Sequence, residues 1–136
     1  MNGARYFLDT FFAAALLNSR DCFHAAAREW LPRVQAAREV WTTEAVVIEV
    51  GDTLSAVDRL GAAEFAWRLR RSANVRIVAI DSGLIERGLA LYESRHDKTW
   101  GMTDCISFLV MEEQGLRDAL TADEHFVQAG FKALLR

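Results

Sequence analysis

Hydrophobic and polar positions along the chain change period several times. Residues 5–8 form a short apolar run that stops at Asp9, and residues 10–17, rich in Ala, Leu and Phe, read as a helix. The pair is a strand feeding a helix. After a polar turn at 18–20, Asp21 is placed to cap a second helix through Ala25, Ala26, Ala27, Trp30 and Leu31. Pro32 should kink or restart that helix, with an end near Arg38. Residues 40–43 are β-branched and aromatic and predict a second strand. Beyond them Val46, Val50, Leu54 and Val57 recur at helical spacing, which predicts one buried stripe on a long helix. Gly61 interrupts the pattern before another helix over 62–71. Residues 75–80 are the clearest strand, ended by Asp81, which also suits the cap of a helix over 82–95. Thr103 is the expected cap of a helix through Met111. Residues 105–111 of that helix carry no charge, so it should be buried nearly all round. Residues 116–120 and 131–135 read as two more strands, separated by a short helix over 123–129.

Strand and helix alternate throughout, which predicts an α/β fold with a parallel sheet and helices on both faces. In such folds ligands bind in the crevice beyond the carboxyl ends of the strands, so acids at strand ends become the candidates for chemistry. The 136 residues, 51% hydrophobic and 26% charged, suit one domain over 1–136 with no repeat or linker. The longest apolar runs, such as 11–17, are too short to span a bilayer, and no segment has the form of a signal peptide. A cytoplasmic protein is expected. Cys22 and Cys105 lie far apart without a CxxC pair and predict reduced, buried thiols rather than a disulfide or zinc site.

Four acids stand out, each with a plainer alternative. Asp9 follows the first strand and can point into the crevice or cap the next helix. Glu49 lies at the margin of an apolar stripe, partly buried or on a solvated edge. Asp104 sits in the first turn of the buried helix, where it could merely complement the helix dipole. Asp123 could be a cap, but Thr121 and Glu124 form a plausible capping box that frees it. Two carboxylates 4 Å apart repel by about 4 kcal/mol at an effective dielectric near 20, so four gathered together call for a cation. Oxygen ligands without clustered His or Cys favour Mg²⁺ or Mn²⁺. Asp81 also ends a strand and is assigned as a cap only. His24, His96 and His125 share no ligand-like spacing and are expected to be structural or solvated.

A net charge of −3 argues against nucleic-acid binding. Setting four metal-bound acids aside leaves the rest of the surface at +1, which weakens the objection. Arg68, Arg70 and Arg71 follow Trp67 as the densest basic cluster, a candidate contact for RNA or an acidic partner and otherwise a solvated helix face. There is no G-x-G-x-x-G or Walker A loop, no nucleophile elbow and no second Asp two residues after Asp9. That disfavours dinucleotide binding, serine hydrolysis and haloacid-type phosphatases. A signalling receiver domain would share the fold class, but no acidic pair precedes Asp9.

The strings themselves resemble PIN domains nearly end to end. They are Phe7-Leu8-Asp9-Thr10, Thr42-Thr43-Glu44 leading to Glu49-Val50-Gly51-Asp52, residues 97–108, and residues 119–126 through Ala129-Gly130-Phe131. The last two segments are similar to those of VapC-type PIN proteins. The resemblance implies a three-layer α/β/α fold with a five-stranded parallel sheet in the order 3-2-1-4-5 and about seven helices. It places the metal-binding acids on Asp9, Glu49, Asp104 and Asp123, the four already selected. It implies a Mg²⁺- or Mn²⁺-dependent endoribonuclease, the toxin of a toxin-antitoxin pair, with a small antitoxin and a homodimer as partners. A catalytically silent PIN module binding RNA or protein is the alternative. Thr10, Thr103 and Ser107 are the candidate supporting hydroxyls, and Lys98 joins the arginines as a candidate RNA or partner contact. Phe11 departs from the small polar residue usual after the Asp-Thr pair and bears on activity rather than fold.

Overall fold

The computed structural model describes residues 3–136. Five strands, β1 Arg5–Leu8, β2 Glu39–Thr43, β3 Val75–Val78, β4 Asp118–Leu120 and β5 Lys132–Ala133, form one sheet. All pairings are parallel and the order is β3-β2-β1-β4-β5. In β1, Phe7 is paired with Trp41 on one side and Ala119 on the other. A central strand of a parallel sheet is covered on both faces, which is why Tyr6, Phe7 and Leu8 form an unbroken apolar run and are all buried.

Seven helices connect the strands among the described residues: α1 Thr10–Leu17, α2 His24–Gln35, α3 Glu44–Leu54, α4 Arg59–Arg71, α5 Ser82–Ser94, α6 Met102–Gln114 and α7 Glu124–Gln128. From β1 to β3 the chain moves one way across the sheet; from β3 it crosses to β4 and β5 on the far side of β1. Right-handed crossovers therefore put α1 to α4 on one face and α5 to α7 on the other, giving three layers. The reversal between β1 and β4 opens a crevice at the carboxyl ends of those two strands. Fully buried Phe7, Phe12 and Phe126 anchor the two faces, each contributing about 2–3 kcal/mol by removal from water. Phe108 of α6 packs edge-on against Trp100 and Phe126, with ring centroids 4.9 and 5.0 Å away.

Element ends differ from expectation at several places, most of them where a carboxylate takes a backbone amide. Helix α3 stops at Leu54, and Val57 is 55% exposed rather than part of the stripe, because Asp58 starts a new helix by accepting the Gly61 N–H at 2.9 Å. Gly61 thus lies inside the first turn of α4. Strand β3 ends at Val78, since the Ile80 N–H is taken by the Glu44 carboxylate at 2.7 Å. Helix α2 runs through Pro32 but ends at Gln35. Helix α6 starts two residues earlier than expected, with Gly101 rather than Thr103 as its N-cap. It ends at Gly115, whose φ of +65° lets Leu116 N–H return to the Met111 carbonyl at 2.8 Å. Cys105 is buried as expected, but Cys22 is exposed in the turn between α1 and α2, and both are free.

Candidate active site

Asp9 leaves the end of β1 at the N-cap position of α1 yet makes no cap bond. Its Oδ2 instead accepts the Thr121 hydroxyl at 2.9 Å, across the crevice from the end of β4. The side chain is 5% exposed and meets no cation among the described residues. Burial pushes its pKa up from the ordinary 3.8 to about 7. The Thr121 hydrogen bond opposes that rise, and repulsion from Asp104, Glu49 and Asp123 adds to it. All four predicted acids therefore share one electrostatic environment. Glu49 reaches it from α3, half-buried between Val46 and Val50, with no hydrogen bond or ion pair of its own among the described residues.

Asp104 is the third residue of α6, and its Oδ2 accepts the Gly101 N–H at 3.1 Å, which satisfies one of the free amides at the start of that helix. The same oxygen accepts His125 Nδ1 at 2.9 Å. Asp123 is the N-cap of α7: its Oδ1 accepts the His125 N–H at 2.9 Å, and the expected Thr121–Glu124 capping box is not formed. The Thr121 hydroxyl does two other things, donating to Asp9 and accepting the Asp123 N–H at 3.1 Å. Atoms of Asp104, Asp123 and His125 lie within 4.8 Å of one another, close enough to share an ion. Asp81, by contrast, is a cap as expected, accepting the Leu84 N–H at 2.8 Å.

In each of the three aspartates one oxygen is held and the other is not. Asp9 Oδ1, Asp104 Oδ1 and Asp123 Oδ2 have no hydrogen-bond donor among the described residues. Thr10, next to Asp9, has a buried hydroxyl with no hydrogen-bond partner among the described residues. A buried carboxylate without a cation, a set of unclaimed carboxylate oxygens and an orphaned hydroxyl fit a hard divalent ion such as Mg²⁺ or Mn²⁺.

Sequence matching places the same fold in a known family, whose PIN-domain model covers residues 6–132. The chain belongs to the PIN-domain family. It is 30% identical over 126 residues to the 23S rRNA-specific endonuclease VapC20 of Mycobacterium tuberculosis, in strains H37Rv and CDC 1551, covering 92% of this chain and 94% of that protein. The crystal structure of VapC20, described as a Sarcin-Ricin loop cleaving toxin, superposes with a TM-score of 0.83 at 28% identity, covering 93% of this chain and 96% of that one. The five-stranded order 3-2-1-4-5 is thus a PIN-fold property of this chain as well as a topological one.

The other candidates distribute unevenly. Ser107 is buried, and its hydroxyl donates to the Thr103 carbonyl at 2.8 Å, so its proton is committed to the helix. Arg68, Arg70 and Arg71 lie in the last turn of α4, three residues before β3 begins, at the opposite end of the sheet from the acids. There Arg68 pairs with Glu64 at 3.0 Å and Arg71 sits over Trp67 at 5.2 Å. Arg68 and Arg71 also border a groove of about 690 Å³ walled by Phe12, Leu16, Leu31, Val34, Phe65 and Leu69. Lys98 occupies the turn before α6, with its Nζ 3.9 Å from Asp97.

His125 is the contributor the sequence reading did not single out. It is expected to be structural or solvated rather than catalytic, and it bridges the acid cluster to Thr99, whose hydroxyl is 3.1 Å from Nε2. The available signal was the Asp-x-His spacing at the start of a short helix, which brings the imidazole back beside the cap.

Proposed function

We propose that the chain is a metal-dependent endoribonuclease that hydrolyses RNA phosphodiester bonds as the toxin of a toxin-antitoxin pair, with residues 1–136 acting as one PIN domain. The observation that carries the reading is the pattern of held and unheld carboxylate oxygens around buried, cation-free Asp9. The PIN family match and a 30%-identical endonuclease relative support it.

On this reading Asp9 and Asp104 would hold one or two Mg²⁺ or Mn²⁺ ions, and Glu49 and Asp123 would complete the shell or orient water. A bound ion supplies charge that activates water and stabilises the oxygen leaving the scissile phosphate. The chain's own part is orientation. Thr121 fixes Asp9 across the crevice, the start of α6 fixes Asp104, and the His125 backbone fixes Asp123. Thr10 is the hydroxyl best suited to a ligand role because no other group among the described residues claims it, while Thr103 stays a candidate and Ser107 offers only its lone pairs. The substrate class follows the relative, which acts on 23S rRNA, so a structured rRNA loop is the first to try. Lys98, on the turn leading to Asp104, is the candidate phosphate contact.

The groove between α1, α2 and α4 suits the apolar face of an amphipathic antitoxin segment, with Arg68 and Arg71 at its rim for acidic flanks. Leu8 and Phe12 are buried at its floor, and its rim lies at the amino ends of β2 and β3. No helix among the described residues is long and apolar enough to cross a membrane; a cytoplasmic homodimer completes the reading.

The test is cleavage of purified ribosomal RNA by the wild type, by Asp104→Asn, and by the wild type with EDTA. Cleavage that needs Mg²⁺ or Mn²⁺ and is lost in Asp104→Asn is expected. Undiminished cleavage by that variant would sink the mechanism, and a wild type that binds RNA without cutting it would favour a silent module.

A further inference from the structure

We propose that His125 is a positioning residue for the acid cluster, its Nδ1–H holding Asp104 Oδ2 so that Oδ1 is left to a cation, with Thr99 fixing the ring from its other side. The inference rests on the metal reading above and adds a residue to it.

An ionised carboxylate only accepts hydrogen bonds, so the 2.9 Å contact between Asp104 and His125 requires the proton on Nδ1. In the neutral ring Nε2 then carries a lone pair, and the Thr99 hydroxyl 3.1 Å away donates to it. Thr99 is able to act as a fixed donor because its turn is braced. The Arg95 guanidinium grips both Asp97 oxygens at 3.0 and 3.1 Å and lies over Trp100 at 4.8 Å. Trp100 in turn donates its indole N–H to Gln128 Oε1 at 2.9 Å. The turn is thereby pinned to α7 at both Thr99 and Trp100, and the ring is held between that turn and Asp104. One residue serves two acids, its side chain on Asp104 and its main-chain N–H on Asp123. A solvated or packing histidine needs none of these partners. Groups that orient a metal ligand in this way typically carry about 10- to 100-fold in metal affinity.

The experiment compares Mn²⁺ binding by calorimetry in wild type, His125→Ala and His125→Asn, with long-range ¹H–¹⁵N spectra of the wild-type imidazole in the Mg²⁺-loaded protein. Asn carries an amide nitrogen on Cγ where histidine carries Nδ1, so it can restore the donor. Expected are a loss of about tenfold or more in His125→Ala, recovery in His125→Asn, and an Nδ1-protonated, Nε2-unprotonated ring. A ring protonated on Nε2 and bare on Nδ1 overturns the inference without any mutant, as does His125→Ala binding Mn²⁺ like wild type or equal loss in both variants. Absence of Mn²⁺ binding by the wild type overturns the metal reading itself.

Discussion

Replacing Asp9 by Asn isolates the cost of the buried acid. Below pH 3.8 the carboxyl is neutral in both folded and unfolded chains, and its burial carries no charge penalty. Between 3.8 and about 7 the unfolded chain releases the proton while the folded chain keeps it, so stability falls as pH rises and the loss is complete above about 7. The gap between those two pKa values corresponds to about 4 kcal/mol. Asn keeps an oxygen for the Thr121 hydroxyl and carries no charge. In metal-free protein Asp9→Asn should therefore be about 4 kcal/mol more stable than wild type at about pH 8 and only about 1 kcal/mol more stable at about pH 4.5. For a chain of this size the former is a rise of about 10–15 °C in melting temperature. Urea titrations at the two pH values, in EDTA, measure the difference. Adding Mg²⁺ should then stabilise the wild type and leave the variant unmoved, because only a native state that binds the ion gains by mass action. A variant advantage equal at both pH values, or absent at pH 8, would refute the argument that burial and like charge hold this carboxyl high.

Further outcomes follow from single contacts. Thr121→Val removes the one hydrogen bond that favours ionised Asp9, so the Asp9 pKa should rise above its present value of about 7, read from the pH at which Mg²⁺ stabilisation of the variant appears. A Cβ on Gly61 would lie 2.1 Å from the Asp58 carboxylate that caps α4. Asp58→Ala should cost about 1 kcal/mol alone and almost nothing in a Gly61→Ala background, a coupling that a double-mutant cycle of melting curves measures. Phe126→Ala should cost about 3–5 kcal/mol, since the ring is fully buried between Phe7 and Phe108, and the loss should appear equally with and without metal.

What the sequence disclosed about the site, and what it hid, divides by the range of the interactions. Asp9 and Asp81 look alike in the chain, each ending a strand and opening a helix. Strand order separates them: β1 is central and faces the crevice, whereas β3 is an edge strand, and Asp81 spends its carboxylate on its own helix. That order came from the family resemblance, because hydrophobic periodicity reports that strands are buried but not which strands are neighbours. The four candidate acids are nominated by position alone, standing at strand ends or beside apolar stripes. Misread ends, at Val57, Ile80 and Gly101, are places where a carboxylate takes a backbone amide: locally at the starts of α4 and α6, and over 36 residues where Glu44 holds Ile80. His125 was hidden because its meaning lies in Asp104 and Thr99, 21 and 26 residues away, neither of which its own short helix announces. Thr121, read as part of a local cap, is bonded to an acid 112 residues earlier. The acids are therefore the part of the site that sequence can nominate, while the hydrogen bonds deciding which oxygen of each acid stays free exist only once β1 and β4 are neighbours. A variant that keeps all four acids but loses Thr121 or the His125 donor should accordingly look intact by sequence and yet bind metal more weakly.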